Sequence, residues 1–126
     1  MRAIRLAAAG LAAAIVSGCA TNAAPPAAVA AATGPAESCV QLQAIRETRV
    51  VDDRTIDFIM RDRRVLRNNL PNSCPQLGFE RAFTYNTSIN QLCSVDIITV
   101  LVQAGGIRTG ASCGLGKFTP IAPSPR

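Results

Sequence analysis

The side chains with most chemistry to offer are five cysteines, Cys19, Cys39, Cys74, Cys93 and Cys113. The 126-residue chain has no histidine, which excludes a Ser-His-Asp triad, a Cys-His dyad and any His-ligated metal. No two cysteines stand as C-x-x-C, and the last four are 35, 19 and 20 residues apart. Thioredoxin-like redox chemistry and zinc-ribbon ligation both need the closer spacing. What remains is cross-linking. Five is an odd number, so one cysteine must be used differently while Cys39, Cys74, Cys93 and Cys113 pair as two disulfides in an oxidising compartment. Four cysteines allow three pairings. The expected one is Cys39 with Cys74 and Cys93 with Cys113, because each link then joins neighbours and leaves the path of the most hydrophobic strand uncrossed.

Carboxylates and arginines come next. Asp52 and Asp53 could divide acid and base roles if burial separated their pKa values, but between two strand-like runs aspartate is first a turn former. Asp57 and Asp96 lie inside strand-like runs. Buried there, each would need a cation such as Arg46, Arg49 or Arg67, so a structural ion pair is expected. Arg61, Arg63, Arg64 and Arg67 cluster around Asp62. Guanidinium groups take phosphate or carboxylate bidentately, which makes lipid phosphates or acidic cell-wall groups candidate contacts; the simpler expectation is a solvated hairpin tip. Gly105-Gly106 and Gly114-x-Gly116 lack the strand-to-helix setting of a phosphate loop and read as turns, and Gly110 belongs to the same turn region as Gly105-Gly106. No catalytic residue, cofactor or metal site is expected.

These residues are divided unevenly along the chain. The first 36 positions hold 16 of the 21 alanines and only two charges, Arg2 and Arg5. Leu6 to Val16 is an apolar run of eleven, right for the core of an export signal and short of the ~20 residues that span a bilayer. It ends in Val16-Ser17-Gly18-Cys19, which resembles the lipobox of bacterial lipoproteins. That resemblance implies cleavage before Cys19, a diacylglycerol on its thiol and an acylated N-terminus, so Cys19 is the odd cysteine. Ala20 follows where the family's inner-membrane retention signal would be Asp, which implies the periplasmic face of the outer membrane. The alternative is an ordinary cleaved signal, a free Cys19 and a soluble periplasmic or secreted protein. Residues 19–36, rich in Ala and Pro, read as the lipidated cysteine followed by a semi-extended tether.

Residues 37–121 must therefore position everything else, and about 90 residues support one domain. Residues 55–60 alternate, with Ile56, Phe58 and Met60 on one face. Residues 45–51 precede them across an Asp-Asp-Arg turn, and residues 64–70 return as a third strand. Residues 82–87 place Phe83 and Tyr85 together. Residues 95–102 are β-branched and apolar on both faces, which predicts a central strand with Ile97 and Val100 near the core. Residues 115–119 form a last strand before Pro120, Pro123 and Pro125 end the order, leaving 122–126 as a disordered tail. The expected class is mainly all-β: a small antiparallel barrel or sandwich of about six short strands, with at most one short helix and two disulfides.

The order Cys39, then Ile45-Arg46-Glu47-Thr48-Arg49-Val50-Val51-Asp52-Asp53-Arg54-Thr55-Ile56, then Asn69-Leu70-Pro71-Asn72-Ser73-Cys74-Pro75, resembles a group of short Gram-negative lipoproteins. Leu92-Cys93-Ser94-Val95-Asp96 and Ala111-Ser112-Cys113-Gly114-Leu115-Gly116-Lys117-Phe118 extend the likeness over about residues 38–121. It implies a secreted, β-rich domain with four cysteines and brings no catalytic residues with it. Beyond residue 19 the charge balance is +3, too little for a nucleic-acid binder. The leading expectation is a membrane-anchored, non-enzymatic binding or structural module with an envelope protein or the cell wall as partner. An inhibitor of a lysozyme or protease is second, and a small hydrolase using Asp96 with Asp52 or Asp53 is third.

Overall fold

The structure is a computed structural model that describes residues 31–123. Cys19, the expected export signal and most of the expected tether lie outside the described residues, as do 124–126. The chain is mainly β, in three antiparallel sheets. The first contains β2 (Ile45–Asp52), β3 (Thr55–Met60), β4 (Val65–Asn69) and β9 (Phe118–Ile121) in that order. A second pairs β1 (Cys39–Gln41) with β6 (Gln91–Cys93). The third places β7 (Ile97–Val102) between β5 (Phe83–Tyr85) and β8 (Arg108–Gly114). A 3-10 turn, Leu42–Ala44, and one short helix, α1 (Leu77–Glu80), complete it. No pairing among the described residues closes the sheets into a barrel.

One apolar cluster joins the three sheets. Ile56, Phe58 and Met60 of β3 are buried with Leu66 of β4 and Phe118 of β9, and Ile98 and Val100 of β7 meet them. Leu92, Val40 and Leu77 bring β6, β1 and α1 into the same core. The alternation of β3 thus faces inward as expected, but two expected core residues do not. Ile97 is 58% and Tyr85 39% exposed. The period of a strand is two, so once Val100 points inward Ile98 must follow, and Ile97 must turn outward. Tyr85 sits opposite buried Ile98, but at the end of a three-residue edge strand that does not cover it. Phe83, opposite Val100, is half-buried against the core. β7 is central in its sheet, yet covered fully on one face only.

β8 falls where glycines suggest only a turn. Gly105 and Gly106 do form that turn, with φ of 73° and 106°. Gly110, however, lies inside the strand beside a register shift, with its Cα facing Val102 and the Val100 carbonyl. A Cβ there would stand 3.0 Å from Val102 Cγ2 and 3.3 Å from the Val100 carbonyl oxygen, so a larger residue would have to displace a neighbour, and the strand favours the residue that propensity counts against it.

Order also continues past two expected limits. Pro120 lies within β9, opposite Leu66. Its carbonyl accepts the Thr33 N–H at 2.8 Å, so the side of Pro120 that lacks a donor faces away from β4 and costs that ladder nothing. Glu37 exchanges both backbone hydrogen bonds with Phe118, and Ala32 bridges to Ile121. The end of the alanine-rich segment therefore runs along β9 and covers its edge.

Both disulfides form, but between different partners from those expected: Cys39 with Cys93, and Cys74 with Cys113. The cause is strand pairing. β1 and β6 put Cys39 directly opposite Cys93. Cys113 lies on β8 opposite Ile98, and Cys74 is buried in the loop just before α1. Doubling a loop costs only ~0.6 kcal/mol, so nearness in sequence is a weak guide beside even a three-residue ladder.

Candidate functional site

Each candidate carboxylate has a structural partner. Asp52 accepts the Arg54 N–H at 2.8 Å, the turn contact expected of it. Asp53 does more. Its Oδ1 accepts the Gly78 N–H at 2.7 Å and its carbonyl accepts the Cys74 N–H, also at 2.7 Å. It thereby ties the β2–β3 turn to the first turn of α1 and to the loop that carries a disulfide. Gly78 permits the approach, since a Cβ there would lie 3.0 Å from Asp53. The two residues should separate on mutation. Asp53→Ala should cost about 1.5–3 kcal/mol, the worth of a half-buried hydrogen bond to a charge, and Asp52→Ala well under 1 kcal/mol, both read by urea denaturation.

Asp57, only 7% exposed, opposes Arg67 across β3 and β4. Arg67 donates from Nε and Nη2 to its two oxygens at 2.8 and 2.9 Å, the expected ion pair in bidentate form. The carboxylate raises the pKa of the guanidinium above its ordinary value, chiefly through these hydrogen bonds. Asp96 forms no ion pair among the described residues, against expectation, because it lies in the turn between β6 and β7 rather than inside a strand; it accepts the Cys93 N–H at 2.6 Å beside the Cys39–Cys93 link. It borders a depression of about 610 Å³ with Tyr85, Asn86 and Ile97, and no second carboxylate among the described residues lines it. Asp52 and Asp53 border a different, open depression. Among the described residues no group of three Cys, Asp or Glu is placed to hold a metal ion.

The arginine cluster is dispersed by the β3–β4 hairpin. Arg67 points to Asp57. Arg64 is engaged by Asp62 at 2.7 Å and by Glu37 at 3.3 Å, and Arg61 donates to the Gln43 carbonyl at 2.7 Å. Arg63 alone makes no side-chain hydrogen bond or ion pair among the described residues. It joins two arginines from β2 instead. Arg46, Arg49 and Arg63 rim a groove of about 210 Å³ floored by Ile59 and Val65, with Glu47 and Pro123 beside them. Arg49 meets Glu47 at 3.8 Å, both more than two-fifths exposed, a pair of little strength. Pairing places Glu47 opposite Ile59 and Arg49 opposite Asp57, so these side chains share the outer sheet face. Arg46 and Arg49 were visible in the sequence only as cations. Grouping them with Arg63 requires the hairpin register, which the short turn at Asp53-Arg54 sets, and the bulge between Ile45 and Glu47.

Opposite in character is the β7–β8 connection. Ile107 is 77% exposed there, and the loop is braced by Gln103, which bonds both the carboxylate and the carbonyl of Glu80 at 3.2 Å. Compared with known families, curated proteins and solved structures, the chain matches none.

Proposed function

We propose that this chain is a lipid-anchored, non-enzymatic binding module of a bacterial envelope, held by Cys19 to the periplasmic face of the outer membrane. The observation that carries the binding role is the groove rimmed by Arg46, Arg49 and Arg63. It joins cations to an apolar floor, while every candidate carboxylate accepts a hydrogen bond within the fold. The anchoring rests on the run from Arg2 to Cys19 and on cysteine parity: the four other cysteines pair with one another and leave Cys19 over. Fractionation of cells tests the anchor. The wild-type chain should sediment with membranes, and replacing the residues that precede Cys19 with an ordinary cleavable signal, together with Cys19→Ala, should release it. A variant that stays with the membranes after washing in high salt would count against the anchor.

The braced loop with Ile107 at its surface favours a second reading, an inhibitor that inserts this loop into a hydrolase. Inhibition of a lysozyme or protease by the purified chain, lost in Ile107→Asp, would move that reading to first place.

A further inference from the structure

We propose that the arginine-rimmed face is a membrane-docking surface, with Arg46, Arg49 and Arg63 taking the phosphates of anionic phospholipids. The proposal rests on the anchoring through Cys19 and adds which face of the domain meets the bilayer.

The first observation is where the chain arrives. Thr33 lies against Pro120, and Ala32 against Ile121, which pairs with Val65 at the start of β4. Thr33 also lines a second depression, of about 380 Å³, with Arg63, Arg64, Ile121, Ala122 and Pro123. The two depressions meet at Arg63 and Pro123. The N-terminal segment thus joins the domain at its most arginine-rich end. Thirteen residues lie between Cys19 and Thr33, a stretch that spans ~50 Å at full extension. A tie of that length sets an effective concentration on the order of 1 mM, so contacts too weak to bind from solution are occupied on the membrane.

Charge is the second observation. Arg46, Arg49, Arg63 and Arg64 stand at this end against Glu37, Glu47 and Asp62, and Glu37 and Asp62 are spent on Arg64. Exposed Ala122 and Pro123 lie beside Arg63 and Arg64, a small apolar surface that suits a headgroup boundary.

The third is Arg63 itself, at φ 73° in the left-handed region. Glycine or asparagine is the economical residue there, and arginine is held at a conformational cost. Its N–H closes the hairpin turn on the Met60 carbonyl at 3.0 Å, while its side chain makes no hydrogen bond or ion pair among the described residues and stays free for a phosphate.

Vesicle sedimentation tests the proposal with the chain that begins at Ala20 and carries no lipid. Residues 31–123 hold the whole core and both disulfides, so this chain keeps every described contact. It should bind vesicles of mixed phosphatidylglycerol and phosphatidylcholine, release at high salt, and ignore pure phosphatidylcholine. Each arginine near the surface contributes about fivefold, so replacing all three by Gln should weaken binding about a hundredfold. Arg63→Gly separates folding from docking: its thermal midpoint should equal or exceed that of wild type while binding falls about fivefold. Arg108→Gln, on β8, should leave binding unchanged. Equal binding to both vesicle types, indifference to the triple substitution, or binding to isolated cell-wall sacculi in place of vesicles would overturn it. Failure here leaves the anchor untouched, because the mass of the mature N-terminus reads Cys19 separately.

Discussion

Phe58→Ala should lower the stability of the domain by about 3–5 kcal/mol and its thermal midpoint by at least ~15 °C. Phe58 is fully buried in β3, between Thr48 of β2 and Leu66 of β4, and meets the Phe118 ring edge-on with centroids 5.2 Å apart. The truncation removes apolar surface from the centre of the shared core and opens a cavity that sheet neighbours cannot close. Loss of the edge-to-face pair adds ~0.5–1.5 kcal/mol to the effect. With few aromatic residues and no tryptophan in the chain, no other large ring can substitute. A domain of ordinary stability, ~5–15 kcal/mol, would be left near its limit. Ile97→Ala is the matched control. Ile97 is equally apolar but lies on the outer face, so it should cost under about 0.5 kcal/mol. Equal losses for the two variants would mean that β3 and β7 are not packed as described.

The second large effect concerns the disulfides. Peptide mapping without reduction should recover Cys39 joined to Cys93 and Cys74 joined to Cys113, with no alkylatable thiol among the four. The double substitution Cys74→Ala with Cys113→Ala should cost about 4 kcal/mol, since it frees a loop of 39 residues in the unfolded chain. Removing the Cys39–Cys93 link should cost a similar amount, its loop being only somewhat longer at 54 residues. Unfolding followed in urea with and without each pair reads both values. Recovery of Cys39–Cys74 or Cys93–Cys113 peptides from native protein would contradict the strand pairing itself.

What was legible in the sequence follows from how local its cause is. The β3 run reads correctly because alternation of Ile56, Phe58 and Met60 is a property of six adjacent residues. The β character of residues 97–102 is local too, but its phase is not. Ile97 and Val100 are separated by an odd number of positions, so alternation alone forbids them a common face. The partner of Asp57 was within reach, since Arg67 was among the cations at hand. Choosing it over Arg49 needed the cross-strand register, which brings both beside Asp57. The disulfide partners were not legible, because β1 and β6 are three residues each and carry no pattern that announces their pairing. β8 was hidden by Gly110, whose presence answers a close approach by Val102 rather than a turn. The arginine-rimmed groove was half visible. Arg63 stood in an evident cluster, but that cluster dissolves once Arg64 and Arg67 find acidic partners and Arg61 a backbone carbonyl. Folding then supplies Arg63 with new neighbours from a strand some fifteen residues earlier.

The asymmetry of the two ends of the molecule now has a physical sense. The edge of β9 is covered by residues 32–37, so the same stretch that closes a sheet edge also delivers the chain to the arginine face. The β2 edge is left open but carries Arg46, Glu47 and Arg49, charges that oppose pairing with another strand. In the proposed docking the same charges would also meet the membrane.

The proposed anchoring through Cys19 underlies both the proposed role and the proposed orientation of the domain, and the intact mass of the protein purified from membranes tests it most directly. The predicted spectrum shows loss of residues 1–18 and, on Cys19, one diacylglycerol and one further acyl group. A mature chain that begins at any other residue, or a Cys19 thiol open to alkylation, would contradict it.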